Sequence, residues 1–438
     1  ATESVTQTTE KLELLTATGA TVAPERVASL RVVTWDKSEG GGIPFEVKRE
    51  GGKWVIPSHF NYPADGGTRV GSTAGAVLNV PVGPRVSRDK KTHAEYGVLD
   101  PLATKPTDGD GAGTRVTLRD EGGAVLVDVI IGKKAPNAEV YFVRRANEDA
   151  VYTAKVRPDD IKTGFKNWVE TGLIKIDRAN VRTIVVQDYS VDETSGRVTQ
   201  RSAVSLGRVK DGGEWRAEPP PADRTLKQTA VNALVDEAVD LKLVGVRPYA
   251  NEWLQRRGFY FTQSGKLLGN EGTVQIATRD GIVYHLFFGE IALGDESDKA
   301  ADSKPVKGAK GTHNRYMAIF VQYSAERDTT LPTPKFPGDK AATKPPGPPT
   351  NAKEIDEAIK KGQEKAAKAQ AKFGKFFYVV SDASFKKLRP ATDTLFEAKA
   401  ASPTPPQPAL KAPAVPVKKK KPAEKKKPAE KKKAVKKK

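Results

Sequence analysis

Four histidines, His59, His93, His285 and His313, are the side chains best suited to move a proton or hold a transition metal near neutral pH. No two of them stand four apart, as on a zinc-binding helix, and neither His-Glu-x-x-His nor Gly-x-Ser-x-Gly occurs. His285 lies inside the apolar run Ile282 to Phe288. That placement predicts a strand histidine holding a structural hydrogen bond rather than a general base. Cysteine is absent, which removes thiolate nucleophiles, disulfides, cysteine-bound zinc and iron–sulfur clusters, and leaves the compartment open. The sequence also carries no Gly-rich phosphate loop of either standard form, so nucleotide binding has no motif behind it.

Carboxylates and aromatics offer a second set of candidates. Asp65 and Asp223 each follow a Pro-Ala pair and precede a helix-forming stretch. A matched pair of carboxylates could do acid–base work, but the position predicts capping of a helix N-terminus, worth about 1 kcal/mol. Trp54 and Trp215 each close a Gly-Gly-x-Trp segment; they could stack on a ligand, yet a tryptophan recurring in a recurring strand predicts core packing. Residues 107–113 carry Asp108 and Asp110 in the manner of a calcium loop. Ala112 and Arg119 stand where two of its oxygen ligands belong, which predicts a solvated hairpin connection. The acidic stretch at Asp295, Glu296, Asp298 and Asp302 is interleaved with Lys299 and Lys304 and reads as a loop.

The elements that must carry these residues recur along the chain. Val27 to Trp35 has the apolar pattern of Val181 to Tyr189, Gly51-Gly52-Lys53-Trp54 returns as Gly212-Gly213-Glu214-Trp215, and Pro63-Ala64-Asp65 returns as Pro221-Ala222-Asp223. Val116 to Asp120 and the apolar run to Gly132 are echoed by Val274 to Asp280 and the run to Gly289, and Val151-Tyr152 by Phe377-Tyr378. Alternating β-branched and aromatic runs predict strands at 27–35, 45–49, 53–57, 114–119, 124–131, 139–143 and 150–156. Helices are expected over 65–80, 159–168, 223–241 and 381–388. A proline-dense insertion at 331–350 and a polar helix over 351–372, with Asn351 as its cap and only Ile355 and Ile359 to bury, lengthen the second copy. That helix is expected to be exposed or marginal.

With 438 residues, the chain is long enough for about three domains. Its net charge of +19 is unevenly placed: residues 401–438 hold 14 lysines against two glutamates, +12 of the total, together with eight prolines. Such a segment cannot build a core and is expected to be disordered. Lys418, Lys419, Lys420, Lys421, Lys425, Lys426, Lys427, Lys431, Lys432, Lys433, Lys436, Lys437 and Lys438 form a candidate polyanion-binding tail. Without aromatics the tail has nothing on which bases could stack, so sequence-reading of single strands is not expected.

In its order of landmarks the chain resembles the bacterial envelope family called domain of unknown function 4340. The landmarks are the Gly-Gly-x-Trp strand, the Pro-Ala-Asp helix start, Tyr96-Gly97-Val98-Leu99-Asp100-Pro101, a hairpin ending in glycine and a Val-Tyr strand. The second copy departs from the pattern, with Arg257-Gly258-Phe259 in place of the Tyr-Gly element. The resemblance implies an extracytoplasmic domain behind an N-terminal membrane anchor, in some cases beside transporter components, and it supplies no catalytic residues. An anchor upstream of Ala1 is expected on that ground, since no run of 18 apolar residues lies within the chain.

These readings together predict an α+β protein of two tandem, mainly antiparallel copies. Residues 1–24 are a lead segment, 25–180 copy one, 181–400 copy two and 401–438 the tail. The expected function is a non-catalytic envelope-facing structural or interaction module, without cofactor or metal, accessory to a transporter or surface assembly. Its partners would be envelope proteins or an anionic polymer or lipid surface. The alternative is a nucleic-acid-associated protein binding DNA or RNA non-specifically through the tail; a hydrolase using carboxylates between the copies is a third class.

Overall fold

A computed structural model describes residues 13–136, 138–192, 195–210, 212–293, 313–335 and 349–399. The tail lysines, the acidic stretch around Asp298 and most of the proline-dense insertion lie outside these residues. Two large sheets dominate, and every strand pair in them is antiparallel.

The first sheet contains β1 (Ser29–Asp36), β2 (Gly41–Glu50), β3 (Lys53–Ile56), β4 (Tyr62–Pro63), β5 (Val82–Ser87), β6 (Thr114–Arg119), β7 (Val125–Lys134), β8 (Tyr141–Arg145) and β9 (Val151–Ala154), in the order β4-β3-β2-β1-β6-β7-β8-β9-β5. Period-two alternation explains β1, where Leu30 and Val32 are fully buried and Arg31 between them is exposed. Part of the lead segment joins this body: Leu15 is buried and its N–H donates to the Val80 carbonyl at 2.9 Å, while Thr16 bridges to Val127.

The second sheet takes β10 (Val181–Val191), β11 (Val198–Gly207), β12 (Arg216–Ala217), β14 (Leu243–Pro248), β17 (Thr273–Thr278), β18 (Asp280–Leu293), β19 (His313–Asp328) and β20 (Phe376–Val380), in the order β12-β11-β10-β17-β18-β19-β20-β14. Set beside the first, this order corresponds position by position from β3 to β5, with β4 unmatched. The intervening β13 (Arg224–Leu226) pairs instead with β21 (Phe396–Ala398), and β15 (Phe259–Phe261) pairs with β16 (Leu267–Gly269) as a separate hairpin.

One local device recurs in both sheets. Gly97 ends a turn with φ of +70° and Gly258 ends another with φ of +78°, the left-handed region that glycine enters without penalty. Each turn presses its carbonyl against a glycine of the neighbouring long strand, Tyr96 on Gly132 and Arg257 on Gly289. A side chain at either strand position would collide with backbone, which is why both hairpins carry glycine there.

Among the described residues helices are few: α1 (Gly66–Gly75), α2 (His93–Tyr96), α3 (Phe165–Trp168), α4 (Gln228–Val239), α5 (Ala352–Phe373) and α6 (Asp382–Leu388). Several differ from the sequence expectation. The stretch 159–168 is a 3-10 turn at Pro158–Asp160 and the single turn α3, separated by Gly164 at φ of +88°. Helix α4 begins five residues after Asp223, because Arg224–Leu226 is drawn into the β13–β21 pair and half-buries Leu226. Helix α5 is not marginal: it packs Ala366 and Phe373 into the core, and the ring of Tyr323 lies directly against Gly362. Asn351 stands at its start without capping it. Its side-chain amide instead accepts from Lys335 N–H at 2.9 Å and donates to the Thr333 carbonyl at 3.0 Å, tying together the two feet of the insertion.

The segment around α3 runs between the sheets and hydrogen-bonds to elements on both sides. Asp65 N–H donates to the Trp168 carbonyl at 2.7 Å, and Leu243 N–H to the Thr171 carbonyl at 3.0 Å. Phe165, Trp168, Leu173 and Ile174 are buried there, in a main core cluster to which both sheets contribute. Tyr62 of the first sheet meets Phe376 of the second edge-on, with ring centroids 5.0 Å apart. No helix among the described residues is long and apolar enough to cross a membrane.

Candidate functional site

Of the residues nominated by the sequence, Trp54 lines a groove with Gly66 and Val70, and Trp215 is buried beside a second groove lined by Arg208, Gly213 and Gln228. Trp54 is half-buried on β3, opposite Arg49 of β2, and its indole lies against the backbone of Gly66 at the start of α1. Trp215 immediately precedes β12, is buried, and carries the Arg208 guanidinium 4.8 Å from its ring centroid. In the first groove a backbone bond, Ala64 N–H to the Trp54 carbonyl at 2.8 Å, holds the tryptophan strand. In the second the Gln228 carboxamide replaces that strand: it accepts from Trp215 N–H at 2.9 Å and donates to the Trp215 carbonyl at 2.8 Å.

Neither aspartate caps by its side chain. Asp65 occupies the N-cap position of α1, but its carboxylate reaches Arg69 Nε at 3.4 Å. Asp223 lies outside α4 and its carboxylate is 3.8 Å from Arg224 Nε. The chain enters α1 from β4 and α4 from β13, so Asp223 is left outside its helix while the Asp65 carboxylate turns to Arg69. The structure therefore does not bring the two carboxylates to one site.

Other ionisable groups are engaged in pairs. Arg115 bridges Asp100 at 2.8 Å and Asp128 at 2.7 Å, and the Asp128 hydrogen bond holds its guanidinium still more firmly in the charged form. In the other sheet Arg201 contacts Asp188 at 2.7 Å and Glu271 at 3.1 Å, and Arg389 contacts the same Glu271 at 2.6 Å. Such networks fix the positions of their strands and occupy the carboxylates that acid–base chemistry would need. The loop at 107–113 is a 3-10 turn, and no group of three metal-ligating side chains occurs among the described residues.

The concave site of most chemical interest was not visible in the motifs. It is a cleft of about 600 Å³ between the β15–β16 hairpin, the faces of β18 and β19, and the C-terminal end of α5. Its walls carry Tyr249, Phe261, Phe287, Phe320, Phe373 and Phe376. Phe261 and Phe320 are 56% and 44% exposed, unusual for phenylalanine on a sheet. β20 pairs with Arg315–Met317 of β19, and from Ala318 onward no strand among the described residues covers that edge, which leaves the cleft open. Gln370 of α5 satisfies part of it, its Oε1 accepting from Val321 N–H at 2.6 Å.

Four polar side chains converge on this apolar surface: Lys266, His285, Gln322 and Gln370. His285 Nε2 lies 3.0 Å from Gln322 Nε2, the structural hydrogen bond expected of a strand histidine. Burial pushes the His285 imidazole below its ordinary value, and the charges of Arg327 and Lys266 push it in the same direction. Nearby, Arg257 is buried with its guanidinium 4.9 Å from the Phe377 ring that Tyr249 stacks on, and burial lowers it to about 10. The sequence signal for the cleft was faint. Ala318, Phe320 and Gln322 alternate with Ile319 and Val321, so β19 is apolar on both faces and period two alone does not say which face is covered.

Fold and site together define an α+β protein of mainly antiparallel sheets with an aromatic-walled cleft over the second sheet. Residues 54–255 match the family model described as Domain of unknown function (DUF4340), which bears out the resemblance read from the landmarks. The match runs from Trp54 of β3 to the turn before β15 and so includes parts of both sheets. No curated protein and no solved structure gives a significant match.

Proposed function

We propose that this chain is a non-catalytic, envelope-facing interaction module, built as two tandem copies of one fold, accessory to a transporter or surface assembly, and attached to anionic surfaces by its cationic tail. The tandem reading is supported by the corresponding strand orders and by the paired glycine contacts at Gly132 and Gly289. The non-catalytic reading is supported by carboxylates committed to arginine pairs on both sheets. The observation that carries the functional assignment is the charge: +12 of +19 lies in the last 38 residues, which contain no aromatic ring. A charged segment of that composition attracts polyanions without reading them.

The test is a salt titration of full-length protein and of a variant lacking residues 411–438 against anionic phosphatidylglycerol vesicles and duplex DNA. Engaging half the tail lysines on DNA implies a log–log salt slope of about −6 at −0.9 per phosphate. Vesicle binding should collapse as screening lengths fall from about 10 Å at 0.1 M salt to about 3 Å at 1 M. The deletion should abolish most of both. Affinity retained after deletion, or discrimination among DNA sequences, overturns the tail assignment and places recognition on the folded sheets.

A further inference from the structure

The cleft over the second sheet has the make-up of a ligand site that the tail does not account for. Its volume of about 600 Å³ lies within the roughly 300–1,000 Å³ of small-molecule pockets, and it joins an apolar wall to a few convergent polar groups. The wall is preformed. Phe373 meets Tyr284 and Tyr378 edge-on at 6.3 and 6.1 Å, and Tyr249 stacks on Phe377 at 4.9 Å, so these rings are held in place by the core behind them. Phe261 and Phe320 instead leave ring surface in water that a ligand would cover.

The charge is one-signed. Lys266 lines the cleft, no aspartate or glutamate does so among the described residues, and Arg327 adds a second positive charge that acts on His285, whose own imidazole burial holds in the neutral form. A cationic ligand would be repelled, and a neutral hydrocarbon would leave Lys266 beside it without a counter-charge. An extended peptide adding to the β19 edge is also disfavoured, because the Val321 N–H it would need is already bonded to Gln370.

We propose that the cleft binds an amphiphilic carboxylate of the fatty-acid class, its chain lying along Phe261, Phe320 and Phe376 and its head at Lys266 and the His285–Gln322 pair. The head would receive charge-assisted hydrogen bonds from Lys266 Nζ, and Gln322 would remain available as a neutral donor. The apolar chain accounts for the exposed rings and the one-signed lining accounts for the carboxylate.

The experiment is calorimetric titration of full-length protein with hexadecanoate below its micellar concentration, and with hexadecanol as the uncharged comparison. Saturable one-to-one binding is expected. Phe320→Asp should weaken hexadecanoate at least tenfold, a loss larger than Phe320→Ser, which removes the same ring without adding a charge, should cause. Lys266→Gln should weaken hexadecanoate several-fold and leave hexadecanol unaltered. Deleting residues 411–438 should leave the one-to-one site intact, which separates this site from the tail. The proposal is overturned if wild-type protein shows no saturable binding, if Phe320→Asp binds as wild type does, or if the tail deletion removes the binding.

Discussion

Replacing Gly289 by alanine tests the device that seats the Arg257–Gly258 turn on β18. A Cβ at this position would sit against the Arg257 carbonyl oxygen and 2.8 Å from Cζ of Phe259. An ordinary carbon–oxygen contact is about 3.3–3.6 Å, so the turn must move by more than a few tenths of an ångström. The turn resists movement, because Gly258 holds a φ of +78°, Phe259 is fully buried and Arg257 is packed over the Phe377 ring. Overpacking of a closed site costs about 1–3 kcal/mol, and contact with backbone places this one at the upper end, about 3 kcal/mol. Gly71 supplies the control of opposite sign. It lies inside α1, where an added Cβ would have no neighbour within 4 Å, so Gly71→Ala should gain about 1 kcal/mol from helix propensity and from a less flexible unfolded chain. Urea unfolding followed by tryptophan fluorescence should move the midpoint down for Gly289→Ala and up for Gly71→Ala, with unchanged slopes. A Gly289→Ala midpoint equal to wild type would refute the close-approach argument.

Two further substitutions probe the cleft and the tryptophan groove. Gln228→Leu removes both carboxamide bonds to the Trp215 backbone and should destabilise by about 2 kcal/mol, read as a lower urea midpoint; no change would mean that water or a shifted strand replaces the amide. Because burial lowers the His285 pKa in the fold, the unfolded chain binds the proton more readily, so stability present above the unfolded value near 6.5 is lost as pH falls through the folded value. Thermal melting between pH 7.5 and 5 should therefore fall further for wild type than for His285→Gln, and equal falls would assign the acid sensitivity to other groups.

The strands of this protein were legible because period-two burial is a local property: Leu30 and Val32 face inward wherever β1 sits, and the run at 114–119 is found as β6 over the same residues. Glycine landmarks were legible for a related reason, since Gly97 and Gly258 hold a backbone region that other residues avoid. The charge of residues 401–438 is a matter of composition alone and needs no fold. Helix boundaries were less so. Asp223 has the form of a cap, yet Arg224–Leu226 found a partner in Phe396–Ala398, some 170 residues along the chain, and strand pairing across that separation leaves no mark in the local sequence. Helix α5 looked too polar to pack because its buried face is made of alanine, glycine and one phenylalanine, whose fit depends on the Tyr323 ring that meets Gly362. The cleft was decided by tertiary structure altogether. Phe261, Phe320 and His285 come from separate strands, and they face a common space only because β20 stops pairing at Met317 and leaves the rest of that edge to α5.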